Sequence, residues 1–512
     1  MLTANIEQEG KTRVENIFVI DSHSHLGEDV DGATMMNPLA PGTGTFDFWG
    51  NVQGRVKSDW ATTGEQSFST NMDGKHTKIS WEFNPYPFTD NLYIALESLG
   101  KRHSDLKSKS KFYSFIDQGV VFPFQDVFRD KHPEARYRAS NINVSRFTTR
   151  FPFSMKLIGY GRCDPMEGEK ALNEVSYARQ ELGLRGIKLH PRSERWIDDI
   201  KSGNPLRVLV EAAKHSLPVI FDTRGRGSIL DIAELIKSTR SVIIQQNPAL
   251  LPHFKVIIAH FAQGNIGDYE VYNALVQPNT YGDLSMLHGE GAGNFFEDFR
   301  KWFKSQDKKR VDNRDWSEYL LYASDYPYFG DIHAQKLIKY IINKQFFDTG
   351  GNIRDVRNIM GLNQIKLLPE YSLPQKKNSD TILPSVLISN ASNQEVNPYE
   401  VAIKAIAELL TNNKIDISHF CLQFKDSWNE ISEDVLLNIL KRTSKEEIPI
   451  FLTTILKNQL SLIAPLNRDA IWNKFGYKYF NPKDRKFFSA LLKQNYLALE
   501  EEQAINSLNQ IF

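Results

Sequence analysis

Histidine and aspartate side chains recur directly after short apolar runs of this chain. His23 and His25 lie within the segment IDSHSH, and in extended chain residues i and i+2 point to the same side, so both imidazoles can reach one cation. Four later apolar runs also end in polar residues: His190, Asp222, His260 and Asp325. Imidazole nitrogens and carboxylate oxygens suit Zn²⁺ or a similar divalent ion. Such an ion lowers the pKa of bound water from ~16 to ~7 and polarises carbonyl groups, so the pattern indicates a metal-dependent catalytic site.

Eight apolar runs, separated by polar turns and helical stretches, would position these side chains. They cover residues 17–21, 119–124, 156–162, 186–190, 218–222, 255–260, 280–285 and 320–325. Most are apolar throughout, which is typical of parallel strands covered on both faces. Alternation with helices predicts an α/β fold, and eight units predict a (β/α)8 TIM barrel whose polar strand ends meet at one rim. A doubly wound open sheet is the alternative, although no GxGxxG turn follows the first run.

Two segments interrupt this regular pattern. Residues 26–115 separate the first two strands and are rich in Gly, Asn, Thr and aromatic residues. Connections of that length inside a compact domain are usually functional, so we expect a lid-like insertion above the site of a barrel domain spanning 1–370. Residues 371–384 are typical of a linker. Amphipathic patterns then predict a small helical domain of unknown role at 385–512.

Composition narrows the classes of partner. Lysine plus arginine and aspartate plus glutamate both number 62, which argues against a uniformly basic surface for nucleic acid. Two cysteines cannot build a disulfide framework or a thiolate cluster. We find no apolar run of about 18 residues and no apolar signal region at the start. We therefore expect a cytoplasmic protein that acts on a small molecule, with neither a membrane nor a nucleic-acid partner, and a homo-oligomer is possible.

Four motifs, IDSHSH, GIKLHP, VIIAHFAQG and LLYASDYP, resemble the amidohydrolase-related (amidohydrolase 2 type) family. These metal-dependent TIM-barrel enzymes include aminocarboxymuconate-semialdehyde decarboxylase, and the resemblance covers about residues 15–370. It implies one divalent metal ion, usually Zn²⁺, with four ligands: His23, His25, His190 and Asp325. It also implies that His260 acts near the bound water as an electrostatic or acid–base catalyst.

One position departs from the family pattern. Many relatives have histidine at the end of strand 5, where this chain has Asp222 within LPVIFDTRG. Either His190 is the third ligand alone, or Asp222 joins it, or the site is degenerate. Lys188 could bridge two metals as a carbamate, although a salt-bridge partner is the commoner role for such a lysine.

These residues predict a metal-dependent hydrolase in which a metal-activated water attacks a small, carboxylate-bearing substrate. His260 orients the water, and Asp325 accepts its proton as a neighbouring carboxylate. Arg224 and Arg192 follow strand ends, and guanidinium groups bind carboxylates in bidentate fashion, so we expect both to bind the substrate. A non-oxidative decarboxylase with the same site is the first alternative. A catalytically inactive barrel that serves as a binding or scaffold module is the second.

Overall fold

The computed structural model describes residues 2–26, 41–83, 114–124, 134–148, 157–306 and 311–369. The linker predicted at 371–384, the helical domain predicted at 385–512 and parts of the insertion lie outside these residues. None of the helices that the structure describes is long and apolar enough to cross a bilayer.

Strands and helices alternate along most of the described chain. The strands are β1 (Leu2–Gln8), β2 (Lys11–Ile17), β3 (Ile20–Leu26), β4 (Ser67–Met72), β5 (Lys75–Phe83), β6 (Gln118–Pro123), β7 (Leu157–Gly159), β8 (Gly161–Arg162), β9 (Ile187–Leu189), β10 (Val219–Phe221), β11 (Val256–Ile258), β12 (Thr280–Asp283) and β13 (Leu320–Leu321). The helices are α1 (Pro41–Thr63), α2 (Arg138–Thr148), α3 (Glu169–Gln180), α4 (Gly203–Lys214), α5 (Arg226–Gln246), α6 (Tyr269–Leu275), α7 (Phe295–Ser305), α8 (Asp331–Ile342), α9 (Lys344–Asp348), α10 (Ile353–Arg357) and α11 (Asn363–Leu367). Between β6 and β13, helices separate successive parallel strands, as βαβ units require.

Parallel strands carry the rim that the sequence predicts. Strands β8 to β13 pair in sequence order, and β3, β6 and β7 form a second parallel sheet. Strands β7 and β8 are halves of one extended stretch, because the N–H of Tyr160 donates to Val121 at 2.9 Å and that of Gly161 donates to Gly186 at 2.9 Å. All eight apolar runs therefore contain a strand, and the predicted α/β class with a parallel sheet is confirmed.

The predicted start of the first parallel strand is wrong by three residues. Ile17 ends β2, which is antiparallel to β1, and the parallel strand begins at Ile20. The error arises because residues 17–21 form one apolar run that two different sheets share. Gly361 packs against this junction, since a Cβ there would lie 2.1 Å from the carbonyl oxygen of Phe18.

The N-terminus and part of the insertion form an antiparallel sheet that the sequence analysis did not predict. Its strand order is β2-β1-β5-β4. Both hairpins turn on pairs with positive φ, Glu9-Gly10 and Asp73-Gly74, and two positive φ values in succession suit the twist of a two-residue hairpin. Within the insertion, β4 and β5 thus join the N-terminal hairpin, and α1 packs against α8. Residues 27–40 and 84–113 of the predicted lid lie outside the described part.

The helices cover the parallel strands through apolar stripes. In α4 the buried residues recur at helical spacing: Pro205, Val208, Leu209, Ala212 and Ala213. In α7 the buried face is largely aromatic: Phe295, Phe296, Phe299, Trp302 and Phe303. Strands that are covered by such helices lose contact with water on their outer face, and this leaves the strand ends as the place for polar side chains.

Candidate metal centre

The ends of β3 and β13 lie side by side. Strand β3 is buried along its whole length, so His23 and His25 are shielded from solvent. The backbone N–H of Asp325, in the segment after β13, donates to the carbonyl of His23 at 2.9 Å. Asp325 has a left-handed backbone with a φ of 52°. The last strand is therefore attached to the first at the position of the predicted ligands.

Two histidines face a single carboxylate oxygen. Asp325 Oδ1 lies 3.1 Å from His23 Nε2 and 3.3 Å from His25 Nε2. The ligand atoms of the three side chains all lie within 4.8 Å of one another. By hydrogen-bond geometry, no described group donates to Asp325 Oδ1. Burial lowers the pKa of His25 to about 3, so this imidazole is neutral near pH 7 and keeps a lone pair for a metal.

A second compact group shares His23 and adds Asp222 and His260. Asp222 Oδ2 lies 3.2 Å from His260 Nε2 and 3.3 Å from the Lys188 amine. That amine also lies 3.2 Å from His23 Nε2. Lys188 is fully buried, and burial lowers its pKa although Asp222 and Asp325 oppose the shift. Lys188 thus contacts two of the three members of this second group, His23 and Asp222. His23 is the one residue that the two groups have in common.

His190 lies beside Asp222 rather than in either compact group of the described residues. Its Nε2 is 3.3 Å from Asp222 Oδ1 and 2.9 Å from Ser193 Oγ. Burial lowers the pKa of His190 well below its usual value, so it too is neutral near pH 7. Its role as third metal ligand stays a prediction, and Asp222 connects it to the rest of the site.

His260 lies between two aspartates, Asp222 after β10 and Asp325 after β13. Its Nε2 is 3.2 Å from Asp222 Oδ2 and 3.9 Å from Asp325 Oδ2. Its Nδ1 lies 2.8 Å from Ser285 Oγ. The predicted catalytic residue His260 is therefore next to the predicted ligand Asp325. Its Nε2 faces the two aspartates, and its Nδ1 faces Ser285, which follows β12.

Asp283, the last residue of β12, is a site residue that sequence reasoning missed. Its Oδ2 lies 2.8 Å from His23 Nδ1, and its Oδ1 accepts the backbone N–H of His260 at 3.0 Å. Burial alone would raise the pKa of Asp283, but His23, His260 and Ser285 lower it to about 2, so the group is ionised. The signal was present, because Asp283 follows an apolar run as Asp222 does.

The two arginines predicted to bind the substrate lie after β9 (Arg192) and after β10 (Arg224). Arg224 Nε is 3.3 Å from Asp222 Oδ1, and 35% of the arginine side chain is exposed, so its guanidinium can meet both the site and a ligand. Arg192 is exposed in the segment after β9. Its contact with a substrate stays a prediction.

Asp21 anchors the start of the HxH segment. Its Oδ2 accepts hydrogen bonds from Ser324 Oγ at 2.6 Å and from Trp49 Nε1 at 3.0 Å. Trp49 belongs to α1, so the insertion reaches the strand that carries His23 and His25. The Trp49 ring packs against Gly119, where a Cβ would lie 2.2 Å from it. Helix α1 of the insertion therefore contacts β3 and β6 and helps to hold the strand that carries the two histidines in place.

Comparison with known proteins gives one family match and several structural likenesses. Residues 156–344 match the family model described as Amidohydrolase. Among solved structures, the chain is similar to 5-carboxyvanillate decarboxylase from Sphingomonas paucimobilis, at 11% identity and a TM-score of 0.37, with 69% of this chain and 99% of that chain covered. An amidohydrolase from Mycobacterium avium subsp. paratuberculosis K-10 shows 15% identity and a TM-score of 0.35, with 69% and 99% covered. No match was found among curated proteins.

The family match contains three of the four motifs that carry the sequence resemblance. His190, His260 and Asp325 lie inside it, while His23 and His25 precede it. The structure brings the preceding pair into contact with Asp325. The match to the family model thus confirms the sequence resemblance over residues 156–344.

Proposed function

We propose that this chain is a metal-dependent hydrolase built on a (β/α)8 barrel. The barrel is supported by hydrogen bonds that join the last parallel strand to the first, from Ser22 N–H to Tyr322 at 3.0 Å and from His25 N–H to Tyr326 at 2.8 Å. In such barrels catalytic side chains come from the C-terminal ends of different strands. The candidate site is assembled in this way.

The contact between Asp325 Oδ1 and the Nε2 atoms of His23 and His25 carries the proposal. His23 Nδ1 faces the ionised Asp283, which can only accept a hydrogen bond, so Nδ1 bears a proton and Nε2 is the atom turned toward Asp325. Burial and Lys188 alone would lower the pKa of His23, but Asp283 and Asp325 raise it, so positive charge is favoured at this ring. A neutral His23, with its Nε2 lone pair 3.1 Å from a carboxylate oxygen, requires a cation beside both atoms instead. The donor set therefore fits a divalent cation.

His23, His25 and Asp325 would hold the ion, together with His190, the predicted third ligand. Nitrogen and oxygen donors of this kind favour Zn²⁺. When bound, such an ion polarises a carbonyl group and makes a water more acidic. The remaining steps belong to side chains of the chain itself.

Proton transfer would use Asp325 and His260. Burial would raise the pKa of Asp325, but His260 and His23 lower it well below its usual value, so the carboxylate is ionised and can accept a proton from the attacking water. Asp325 Oδ2 and His260 Nε2 lie 3.9 Å apart, so the two groups border the same space, and His260 can give a proton to the leaving group while Asp325 takes one from the water. Asp222 Oδ2, at 3.2 Å, stabilises a protonated His260.

The substrate class follows from the positive charge at the edge of the site. Arg224 is part exposed and touches Asp222, so it can offer its outer N–H groups to a carboxylate while its Nε stays anchored. Arg192 is the second predicted anchor. A small substrate would thus place its carboxylate at the arginines and its hydrolysable carbonyl group beside His23, His25 and Asp325.

Hydrolysis and decarboxylation release different products, and this difference tests the proposal. Purified protein loaded with Zn²⁺ is incubated with a panel of small N-acyl amino acids, lactones and aromatic carboxylic acids. Release of an amine or alcohol together with uptake of one water supports a hydrolase. Release of carbon dioxide from any member, without hydrolysis of the others, would overturn hydrolysis in favour of the decarboxylase alternative.

Metal content tests the site itself. Untagged protein is analysed for Zn, Mn, Fe and Ni, beside His25→Gln and the control His76→Gln, which alters an exposed histidine of β5. We expect close to one equivalent in the wild type and the control, and a loss in His25→Gln. Less than a tenth of an equivalent in the wild type, even after incubation with Zn²⁺, would support the scaffold alternative.

A further inference from the structure

We infer that Asp283 is a positioning residue that sets the ring tautomer of His23 directly and holds the ring of His260 in place through Ser285. The inference deepens the proposed function, because it explains how both rings present Nε2 to the site. It concerns a residue that touches neither a substrate nor the predicted ion.

The two carboxylate oxygens of Asp283 have separate partners. Oδ1 accepts the backbone N–H of His260 at 3.0 Å, the backbone N–H of Ser285 at 3.1 Å and the hydroxyl of Ser285 at 2.5 Å. Oδ2 is thus left for the ring of His23, whose Nδ1 lies 2.8 Å away. An oxygen that only accepts requires a proton on Nδ1. The Lys188 amine at 3.2 Å from Nε2 fits the same tautomer, since an ammonium group can only donate.

Ser285 extends this control to His260. Its hydroxyl proton is directed to Asp283 Oδ1, so the hydroxyl oxygen presents lone pairs to any further partner. His260 Nδ1 lies 2.8 Å from that oxygen and therefore donates its proton to it. His260 Nε2 then faces Asp222 Oδ2 at 3.2 Å, an acceptor that can hold a second ring proton, and the interior of the site. One carboxylate on β12 accordingly fixes which nitrogen of each ring faces the interior of the site.

The backbone contact adds a geometric constraint. His260 has a left-handed φ of 55°, a conformation that few residues other than glycine adopt. Its N–H donates to Asp283 Oδ1, and its ring contacts Ser285. The backbone conformation and the ring orientation of His260 therefore depend on the same acidic residue.

Two substitutions separate the direct contact of Asp283 with His23 from its indirect contact, through Ser285, with His260. In Asp283→Asn the amide oxygen must stay toward His260 and Ser285, because three donors converge there, so the amide NH₂ faces His23 Nδ1. A donor at that point moves the ring proton of His23 to Nε2. In Ser285→Ala the contact between His23 and Asp283 is intact, and only His260 loses its acceptor. The two variants are therefore matched controls for each other.

The tautomers can be read directly from nitrogen chemical shifts of ring-labelled histidine in metal-free protein at pH 9, with assignments from His23→Gln and His260→Gln. We expect the His23 ring of the wild type to carry its proton on Nδ1. Asp283→Asn should move that proton to Nε2, whereas Ser285→Ala should leave His23 unchanged and shift the Nδ1 signal of His260. Retention of the Nδ1 proton on His23 in Asp283→Asn, or an unchanged Nδ1 signal of His260 in a folded Ser285→Ala, would overturn the corresponding half of the inference.

Metal affinity supplies a second readout that packing alone would not move. By competition with a chromophoric Zn²⁺ chelator, we expect Asp283→Asn to lose about 10- to 100-fold in affinity, as loss of an outer partner of a ligating histidine usually does. Ser285→Ala should stay within about threefold of the wild type, since His260 is not a proposed ligand. Equal affinities in all three proteins would contradict the inference. A wild type that binds no metal would refute the proposed function while leaving the tautomer result standing.

Discussion

The backbone N–H of Asp325 donates to the carbonyl of His23 at 2.9 Å, and the side chains of the same two residues approach to 3.1 Å. One residue pair thus attaches the last parallel strand to the first and supplies half of the candidate ligand set. Because the backbone contact does not depend on the carboxylate, substitution of Asp325 should change the chemistry and keep the strands together.

Asp325→Asn is therefore the sharpest test of the site. The amide keeps the shape of the carboxylate but loses its charge and its ability to accept a proton, so we expect metal affinity to fall at least about tenfold and turnover by about 100-fold or more. The control is Asp231→Asn, which alters a part-exposed carboxylate paired with Lys201 on the surface. Chelator competition and steady-state kinetics give the two values. An Asp325→Asn protein that turns over as fast as the control would exclude a catalytic role for this carboxylate.

Addition of metal should stabilise the folded protein. An ion that binds only the folded state contributes about 2.7 kcal/mol when free metal is a hundredfold above Kd. We expect Zn²⁺ to raise the Tm and a chelator to lower it, measured by calorimetry. The rise should be much smaller in His25→Gln than in the control His76→Gln. An equal rise in both variants would mean that Zn²⁺ binds elsewhere on the protein.

Stability at mildly acidic pH should depend on His253, remote in sequence from the predicted ligands. Burial, with a smaller contribution from Lys255, lowers the pKa of His253 to about 4 in the folded protein, and its Nδ1 lies 2.6 Å from Ser216 Oγ. The unfolded chain takes up this proton near pH 6.5. The stabilising contribution is therefore complete above pH 6.5 and is lost as pH falls through 4.

His253→Asn isolates that contribution. Urea unfolding at pH 7.5, 6, 5 and 4.5 gives the free energy of unfolding of both proteins. The loss of stability on acidification should be shallower in the variant, which has no group to protonate there. Curves that fall in parallel over this range would show that His253 titrates alike in both states.

Two alanine substitutions for glycine should act in opposite directions. In Gly119→Ala the new Cβ would lie 2.2 Å from the Trp49 ring, so we expect a loss of about 1–3 kcal/mol in the free energy of unfolding. Gly54 lies inside α1 with no atom within 4 Å of its Cβ position, and alanine there should gain about 0.5–1 kcal/mol. Urea unfolding measures both. A Gly119→Ala protein as stable as Gly54→Ala would show that Trp49 does not pack on β6.

The strand ends could be predicted because apolar parallel strands and polar ends alternate in the sequence itself. His23, His25 and Asp325 were placed together from that pattern, and the structure brings them into contact. The pattern does not predict which way each side chain points once it lies at the strand ends. His190 follows an apolar run as His260 does, yet its ring is turned toward Asp222 and Ser193.

The antiparallel sheet could not be read from the sequence in the same way. Strand β2 is mostly exposed and polar, so it lacks the apolar run that marks the parallel strands. Asp73-Gly74 was a usable hairpin signal, but it lies within a segment that its length and composition favoured as a lid. Asp283 was missed for another reason: it lies inside the predicted run 280–285, whereas the predicted site residues of the later strands are the last residues of their runs.

The burial of Lys188 has a consequence for electroneutrality. Three buried carboxylates, Asp222, Asp283 and Asp325, lie around this one buried ammonium, and the part-exposed Arg224 adds a positive charge beside Asp222. With neutral imidazoles these five groups still carry net negative charge, and uncompensated charge is costly inside a protein. The same imbalance is what raises the pKa of His23 against its burial. A proton and a metal ion would therefore compete for the same ring.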